Sequence, residues 1–341
     1  MRAAVFNRYG PPDVVCIKEV EKPTPGDNEL LVKIQTTTVN RTDCGYRRAS
    51  PFILRYWTGL LRPTKKTILG TEFAGEVEAA GRSVTAFSTG DRVFGYVEGS
   101  FGAHAQYLTI PEDGSLAAIP AALTYEEAAP ATEGLHYALS SLTNAQVRSG
   151  QDVLVYGGTG AIGSAAVQLL ASLGVRVTAV CDTANVELVR GLGADKVVDY
   201  IVEDFTQDDL RYDIVFDAVG RSSFGRCRHL LKPGGIFVSS DGGPWFQNAV
   251  LPLVTPLVGR FLDGKKVVFP FPKIDQAMVR RFAQLMESRA FRPVIDRHYP
   301  LDDIVEAYRY VETGRKVGNV VVVVDLQREI GSAAPPTGSP E

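Results

Sequence analysis

Paired cysteines are missing from this chain, and with them a class of scaffolds and metal sites. Cys16, Cys44, Cys181 and Cys227 are its cysteines. No two stand at the CxxC spacing of a zinc ribbon or a redox dithiol. Their scatter predicts reduced thiols and a cytoplasmic location. An excess of positive charge is also absent, since 36 Lys+Arg against 39 Asp+Glu leave a net charge of −3. No nucleic acid partner is therefore expected. Local pairs such as Lys65-Lys66 and Lys265-Lys266 read as solvated surface. Long hydrophobic runs are wanting too. The longest apolar stretch, AVLPLVTPLVGRFL from Ala249 to Leu262, is too short for a bilayer crossing and contains prolines. No membrane span is expected, and the stretch reads better as a partner surface or a pocket wall. The opening MRAAVFNRYGPP lacks the apolar core of a signal peptide. No catalytic triad and no phosphate-transfer P-loop is present, which leaves hydrolase and kinase readings without support.

What is present is ordinary globular composition, with 45% hydrophobic and 22% charged residues over 341 positions, a length that suggests two domains. ELLVKIQTTTVN (Glu29 to Asn40), AGEVEAAG (Ala74 to Gly81) and DRVFGYV (Asp91 to Val97) alternate apolar and polar residues and read as strands of a β-rich unit. The pattern changes near Thr124, where TYEEAAPATEGLHYALSSL opens like a capped helix. From Asp152 strands and helices alternate. DVLVYG, VRVTAV, DKVVDY, YDIVFDAVG and GIFVSS are the strands, and AIGSAAVQLLASLG, ANVELVRGLG and SFGRCRHLLKPGG the helices. That rhythm predicts βαβ units and a parallel sheet, hence an α/β fold. KKVVFPF is placed at the end of the sheet. A helix over Ile274 to Arg289 puts Ile274, Met278, Phe282, Leu285 and Met286 on one face, and HYPLDDIVEAYRYVETG reads as another helix before the strand GNVVVVV.

VYGGTGAIG, from Val155 to Gly163, holds the most specific local signal. Gly158, Gly160 and Gly163 form G-x-G-x-x-G between a strand and a helix, the context in which the motif binds a dinucleotide. The first glycine permits the turn, the second lets a diphosphate approach the backbone, and the third lets helix and strand pack closely. Thr159, Ala161 and Ile162 lie in the same loop and first helical turn, where free N–H groups meet an anion. Ser164, Ala165 and Ala166 continue the close packing. Asp182 follows nineteen residues after Gly163, at the end of the second strand. An acid there accepts hydrogen bonds from the ribose hydroxyls of NAD and repels the 2′-phosphate of NADP. Neither Thr183 nor Ala184 is basic, so NAD(H) is favoured over NADP(H), with Arg190 and Lys316 as the remaining cations that could meet a phosphate. Asp182 could equally cap the following helix, or do both.

Together these elements resemble the medium-chain dehydrogenase/reductase superfamily, and within it the zinc-independent quinone oxidoreductases and enoyl reductases. The resemblance is carried by VNRTD (Val39 to Asp43), LGTEFAGEV (Leu69 to Val77), GDRVFG (Gly90 to Gly95), GAHAQY (Gly102 to Tyr107), GAIGSAAVQLL (Gly160 to Leu170), DAVG (Asp217 to Gly220) and LLKPGGIFV (Leu230 to Val238). It implies a GroES-like β-rich catalytic domain over residues 1–126, a doubly wound Rossmann domain over 127–270, and a return to the catalytic domain over 271–328. Residues 329–341 are expected to be a disordered tail. The active site would be the cleft between the domains, and a homodimer is expected. Thr132, Val219, Gly220, Lys316 and Asn319 join the glycine loop and Asp182 as implied cofactor-binding residues.

Zinc members of the superfamily carry a cysteine and a histidine ligand where this chain has Asn40 and Thr71, and neither amide nor hydroxyl is a good zinc ligand. No catalytic zinc is expected, and Glu133 is read as polar lining or as support for His136 or a lysine. Without a metal to stabilise an alkoxide, reduction of a carbon whose product anion is delocalised is the easier chemistry. The expected activity is hydride transfer from NAD(P)H to a quinone or an α,β-unsaturated carbonyl, a small hydrophobic electron-poor substrate. An NAD-dependent alcohol or carbonyl dehydrogenase without zinc, or a dinucleotide-holding scaffold without turnover, are the alternatives. Asn40, Asp43, Tyr46 and Thr71 are the candidate catalytic residues. Tyr46 stands six residues after Asn40, one further than the tyrosine that relatives often carry. His104 reads as a packed histidine. Ser50 to Pro63 reads as a cover for a hydrophobic substrate or as core, and Trp245 and Phe246 as the far wall of the pocket.

Overall fold

Strands fill the first third of the chain, and the expected alternation does not carry over into burial, because both faces of the longest strands are covered. The computed structural model describes residues 1–324 apart from 65–66, 98, 242, 244–246, 258 and 271. Trp245, Phe246, Lys65, Lys66 and the tail 329–341 therefore lie outside the described residues. The chain opens with β1 (Arg2–Phe6) and β2 (Val15–Glu19), an antiparallel pair. Then come β3 (Glu29–Val39), α1 (Arg41–Arg48), α2 (Leu54–Thr58), β4 (Glu72–Ala80), β5 (Arg92–Tyr96), β6 (Tyr107–Pro111) and β7 (Leu116–Ala118). Helices α3 (Tyr125–Ala128) and α4 (Thr132–Asn144) lead into β8 (Asp152–Tyr156), α5 (Ala161–Ser172), β9 (Arg176–Cys181), α6 (Val186–Gly191) and β10 (Lys196–Asp199). After β11 (Tyr212–Asp217), α7 (Phe224–Cys227), β12 (Leu231–Ser239), α8 (Gln247–Val254) and β13 (Lys266–Val268) come α9 (Gln276–Glu287), β14 (Ile295–Pro300), α10 (Ile304–Glu312) and β15 (Asn319–Val323).

Among the described residues a six-stranded parallel sheet runs in the order β10-β9-β8-β11-β12-β13. The order reverses between β8 and β11, and ligands of such sheets bind beyond the carboxyl ends at that reversal. A seven-stranded mixed sheet runs β14-β15-β3-β4-β5-β7, with β6 on β3. It joins strands from both ends of the chain, since β15 pairs antiparallel with β3. Val153, Val155, Ala165, Ala166, Leu169 and Phe216 are buried in one core, Leu154, Val180, Val215 and Phe237 in a second, and Val32, Ile34, Phe73, Val93 and Val320 in a third. No helix of the described residues is long and apolar enough to cross a membrane.

Several local expectations are corrected. The helix expected from Thr124 breaks into α3 and α4 at a 3-10 turn, Ala129–Ala131, because Pro130 has no N–H to give to a continuing helix. Thr124 does form a capping box with Glu127. SFGRCRHLLKPGG makes only the short α7 and a 3-10 turn, and Leu231 already belongs to β12. The sheet recruits that segment before its weak helical propensity can extend. His298 to Pro300 lie in β14, not in the following helix. Helix α9 starts at Gln276 behind the cap Asp275, so Ile274 lies ahead of it; Val279 is buried beside Phe282 and Met286, while Ile274, Met278 and Leu285 are only partly buried.

The glycine loop needs its third glycine for steric reasons. A Cβ on Gly163 would stand 2.0 Å from the carbonyl oxygen of Gly157. Gly163→Ala is expected to lose about 1–3 kcal/mol of stability through overpacking, read as a lowered midpoint in thermal unfolding followed by circular dichroism.

Candidate functional site

The cleft is assembled from residues far apart in sequence. At the carboxyl end of β8 the chain turns through Gly157, whose φ is +87° and whose Cβ would stand 2.5 Å from Val219 Cγ1. This glycine, outside the G-x-G-x-x-G frame, is sterically required, as Gly163 inside it is. The N–H groups of Gly157 and Gly158 both donate to Val180 O, at 3.2 and 3.0 Å, tying the loop to the end of β9 beside Asp182. Gly160 precedes α5 with no side-chain hydrogen bond to its first turn, so the N–H groups around Ala161, Ile162 and Gly163 remain suited to an anion. At Gly160 a Cβ would meet nothing closer than 3.8 Å, which leaves open space on the loop. The site thus fits a dinucleotide diphosphate.

Two further segments close on this loop. Gly318 N–H donates to Thr159 O at 2.6 Å, and Gly160 and Gly318 form a parallel bridge. Lys316 Nζ donates to Gly318 O, and Asn319 Nδ2 to Val294 O at 3.0 Å. The loop after β11 is organised by Asp217, a buried carboxylate that accepts the N–H groups of Val219, Gly220 and Ser222 at 3.2, 2.9 and 2.8 Å. Arg41, at the start of α1, donates to Val219 O at 3.1 Å. Asp182 holds Asn185 Nδ2 at 2.7 Å without a side-chain bond to the next helical turn. Arg190 is committed to Glu187.

On the opposite wall Asn40 and Asp43 cap α1 reciprocally. Asn40 Oδ1 accepts the Asp43 N–H at 3.0 Å, and Asn40 Nδ2 donates to Thr71 Oγ1 at 2.7 Å. Asp43 is fully buried and also accepts the Gly70 N–H at 3.0 Å. His104 packs beneath it. Burial pulls its pKa down to about 4, so the ring is neutral and its Nε2–H donates to Thr38 O at 2.7 Å. Tyr308 then donates to Nδ1 at 3.2 Å. The Tyr46 ring lies 4.6 Å from that of Phe101.

Glu72 and Glu133 give the site its electrostatics, and the sequence motifs had not marked Glu72. Glu72 is fully buried on β4. It accepts Thr132 N–H at 3.1 Å, Thr132 Oγ1–H at 2.9 Å, Glu133 N–H at 2.7 Å and Thr38 Oγ1–H at 2.5 Å. A carboxylate thus caps α4 from another sheet. Glu133 accepts Thr42 Oγ1–H at 2.7 Å. Burial raises both carboxyls, and the charge of Glu72 raises Glu133 further. The donors on Glu72 offset part of its burial, whereas Glu133 has the charge of Glu72 added to its own burial. Glu133 does not support His136, whose ring nitrogens are buried without a hydrogen-bond partner among the described residues. The Lys316 ammonium is the cation that acts on Glu133 most directly.

Residues 26–121 match the family model described as alcohol dehydrogenase GroES-like domain, and residues 192–322 that described as zinc-binding dehydrogenase. The chain is 30% identical over 325 residues to a trans-enoyl reductase of Aspergillus terreus, covering 88% of this chain and 87% of that protein. It is 29% identical over 337 residues to 2-methylene-furan-3-one reductase of Solanum lycopersicum, covering 94% and 79%. Among solved structures it is similar to the quinone oxidoreductase from Coxiella burnetii, with a TM-score of 0.83, 26% identity and 95% and 99% of the two chains covered. A mycobacterial protein complexed with NADPH has a TM-score of 0.77 at 27% identity, with 95% and 100% covered.

The residues present do not fit the zinc that one of those descriptions names. Asn40 and Thr71 hydrogen-bond each other where a thiolate and an imidazole would be needed. No group of three or more His, Cys, Asp or Glu able to hold a metal occurs among the described residues.

The raised Glu133 carboxyl fixes the sign of a pH effect. A folded-state pKa above the unfolded value means that its contribution is fully present below the unfolded pKa and is lost as pH rises through the folded pKa. Glu133→Gln keeps an acceptor for Thr42 and removes the charge. The variant is expected to match the wild type near pH 4 and to unfold at a higher temperature than the wild type at pH 8, as thermal melts at the two pH values will show.

Proposed function

The chain belongs to the medium-chain dehydrogenase/reductase superfamily, and on that premise we propose that it reduces a quinone or an α,β-unsaturated carbonyl with NAD(P)H and without a metal. One observation carries the reading: Asn40 and Thr71, which the resemblance aligns with the ligands of zinc members, hydrogen-bond each other instead. The nicotinamide, when bound, supplies the hydride. The chain's residues hold, orient and protonate. The α5 N-terminus with Gly158 to Gly163 holds the diphosphate. The Val219–Gly220 loop and the Thr159–Gly318 contact bound the cofactor's path, with Thr132, Lys316 and Asn319 beside it. Asn40 and Thr71 polarise the carbonyl or hold the nicotinamide amide, Tyr46 serves as a hydroxyl near the substrate, and Asp43 fixes the Asn40 rotamer. Reduction leaves an enolate or a hydroquinone anion whose charge is delocalised, so hydrogen-bond donors suffice in place of a Lewis acid.

Preference for NAD(H) is part of the proposal. It rests on the Asp182 carboxylate at the end of β9, next to the carbonyl that ties down the glycine loop. A homodimer is likewise proposed. Val250, Leu253, Val254 and Leu257 are exposed on and just after α8, which packs on the edge strand β13. The free thiols suit the cytoplasm.

The test is oxidation of NADH and NADPH with a panel of quinones and enones, with and without EDTA. Turnover with one of these classes, unchanged by chelator, is expected. Oxidation of simple alcohols alone would favour the alcohol dehydrogenase reading, and tight cofactor binding with no turnover a scaffold. Asp182→Ser is expected to shift the NADH/NADPH ratio of kcat/KM about tenfold towards NADPH, the worth of one hydrogen bond to a charged group. An unchanged ratio would remove the basis for the cofactor preference.

A further inference from the structure

We propose that the surface formed by Phe52, Ile53, Tyr56, Leu60, Leu61 and the arginines around them docks the protein on an anionic lipid surface. These five apolar side chains are 66, 54, 82, 64 and 88% exposed, on and beside the short helix α2. They stand in solvent and do not enter the core. Their footing is built. Tyr9 Oη pairs with the buried Thr58 Oγ1 at 2.5 Å and donates to Gly59 O at 2.7 Å. The Arg55 guanidinium lies over the rings of Tyr9 and Phe52 at 4.8 and 5.0 Å. The segment is therefore anchored from beneath while its apolar tips point outward.

Charge says what covers it. From Cys44 to Thr71 the sequence has no Asp or Glu. Arg62 is exposed in the patch and Arg8 is exposed next to Tyr9. Arg48 is half exposed and shares Glu312 with the buried Arg47. Protruding apolar tips within an arginine rim match the interfacial zone of a bilayer, where tips pass the headgroups and guanidinium groups meet lipid phosphates. A second copy is a poorer occupant, because a two-fold contact would set these arginines against each other. A folded partner would need a cavity for each tip, whereas a lipid surface deforms around them.

Flotation of the full chain with vesicles tests this. The protein is expected to float with vesicles of phosphatidylcholine mixed with phosphatidylglycerol, to stay down with phosphatidylcholine alone, and to be released by high salt. The Tyr56→Ser/Leu61→Ser variant should bind at least about tenfold more weakly, through lost apolar burial. In Arg8→Glu/Arg62→Glu each lost cation alone should weaken binding about fivefold. Nicotinamide fluorescence titration should show unchanged cofactor affinity in both variants, which establishes that they fold. The proposal is overturned if the wild type ignores anionic vesicles or if the serine variant floats equally well. It is also overturned if a wild-type dimer becomes monomeric in the serine variant, which would assign the patch to a second copy.

Discussion

A single buried carboxylate ties the mixed sheet of this protein to the helix that leads into its parallel sheet. Glu72 sits on β4, and its oxygens take two N–H groups and a hydroxyl from the first turn of α4 and a second hydroxyl from β3. Helix α4 in turn packs on α5, so closely that a Cβ on Gly134 would stand 2.7 Å from Ala161 O. The wall bearing Asn40 and Thr71 is thereby fixed against the helix that opens the dinucleotide cradle. An isolated carboxylate at this depth would be strongly disfavoured. Hydrogen bonds to a charged group contribute about 1.5–3 kcal/mol each, and four of them with a helix N-terminus offset the desolvation.

The remaining contacts across the cleft follow the same logic. Gly318 reaches Thr159, Arg41 reaches Val219 and Thr42 reaches Glu133. Each joins the chain's outer segments to the middle one through a backbone carbonyl or a carboxylate, and none depends on a metal ion. A site that must align a cofactor carbon with a substrate carbon gains from such rigid registration, because small misplacements there cost large factors in rate. Glu133, raised by burial and by the charge of Glu72 beside it, takes up a proton more readily than a free carboxyl, which eases the repulsion within the pair.

Much of this was legible in the sequence wherever the physics is local. The glycine loop was readable because strand, turn and helix follow one another within a few residues, and Asp182 because it ends the next strand. The Thr124–Glu127 capping box was readable for the same reason. Gly157 escaped because its steric demand comes from Val219, in the loop after β11 and far away in sequence. Glu72 escaped because three of its four donors lie about sixty residues away, on α4, and the fourth 34 residues away, on β3. The helix expected through Leu230 to Gly235 failed because β-pairing of Leu231 with Tyr212 outweighs a local preference. The exposure of Phe52, Ile53, Tyr56, Leu60 and Leu61 could not be read at all, since apolar composition alone describes a core segment equally well.

The most direct test of the account is pre-steady-state oxidation of bound NAD(P)H in Glu72→Ala with a quinone or enone that the wild type reduces. Loss of the carboxylate frees α4 from β4 while leaving the glycine cradle intact. The account predicts that the variant still binds cofactor but transfers hydride about 100-fold more slowly. Transfer within a factor of about two of the wild type, a difference near 0.4 kcal/mol, would contradict it.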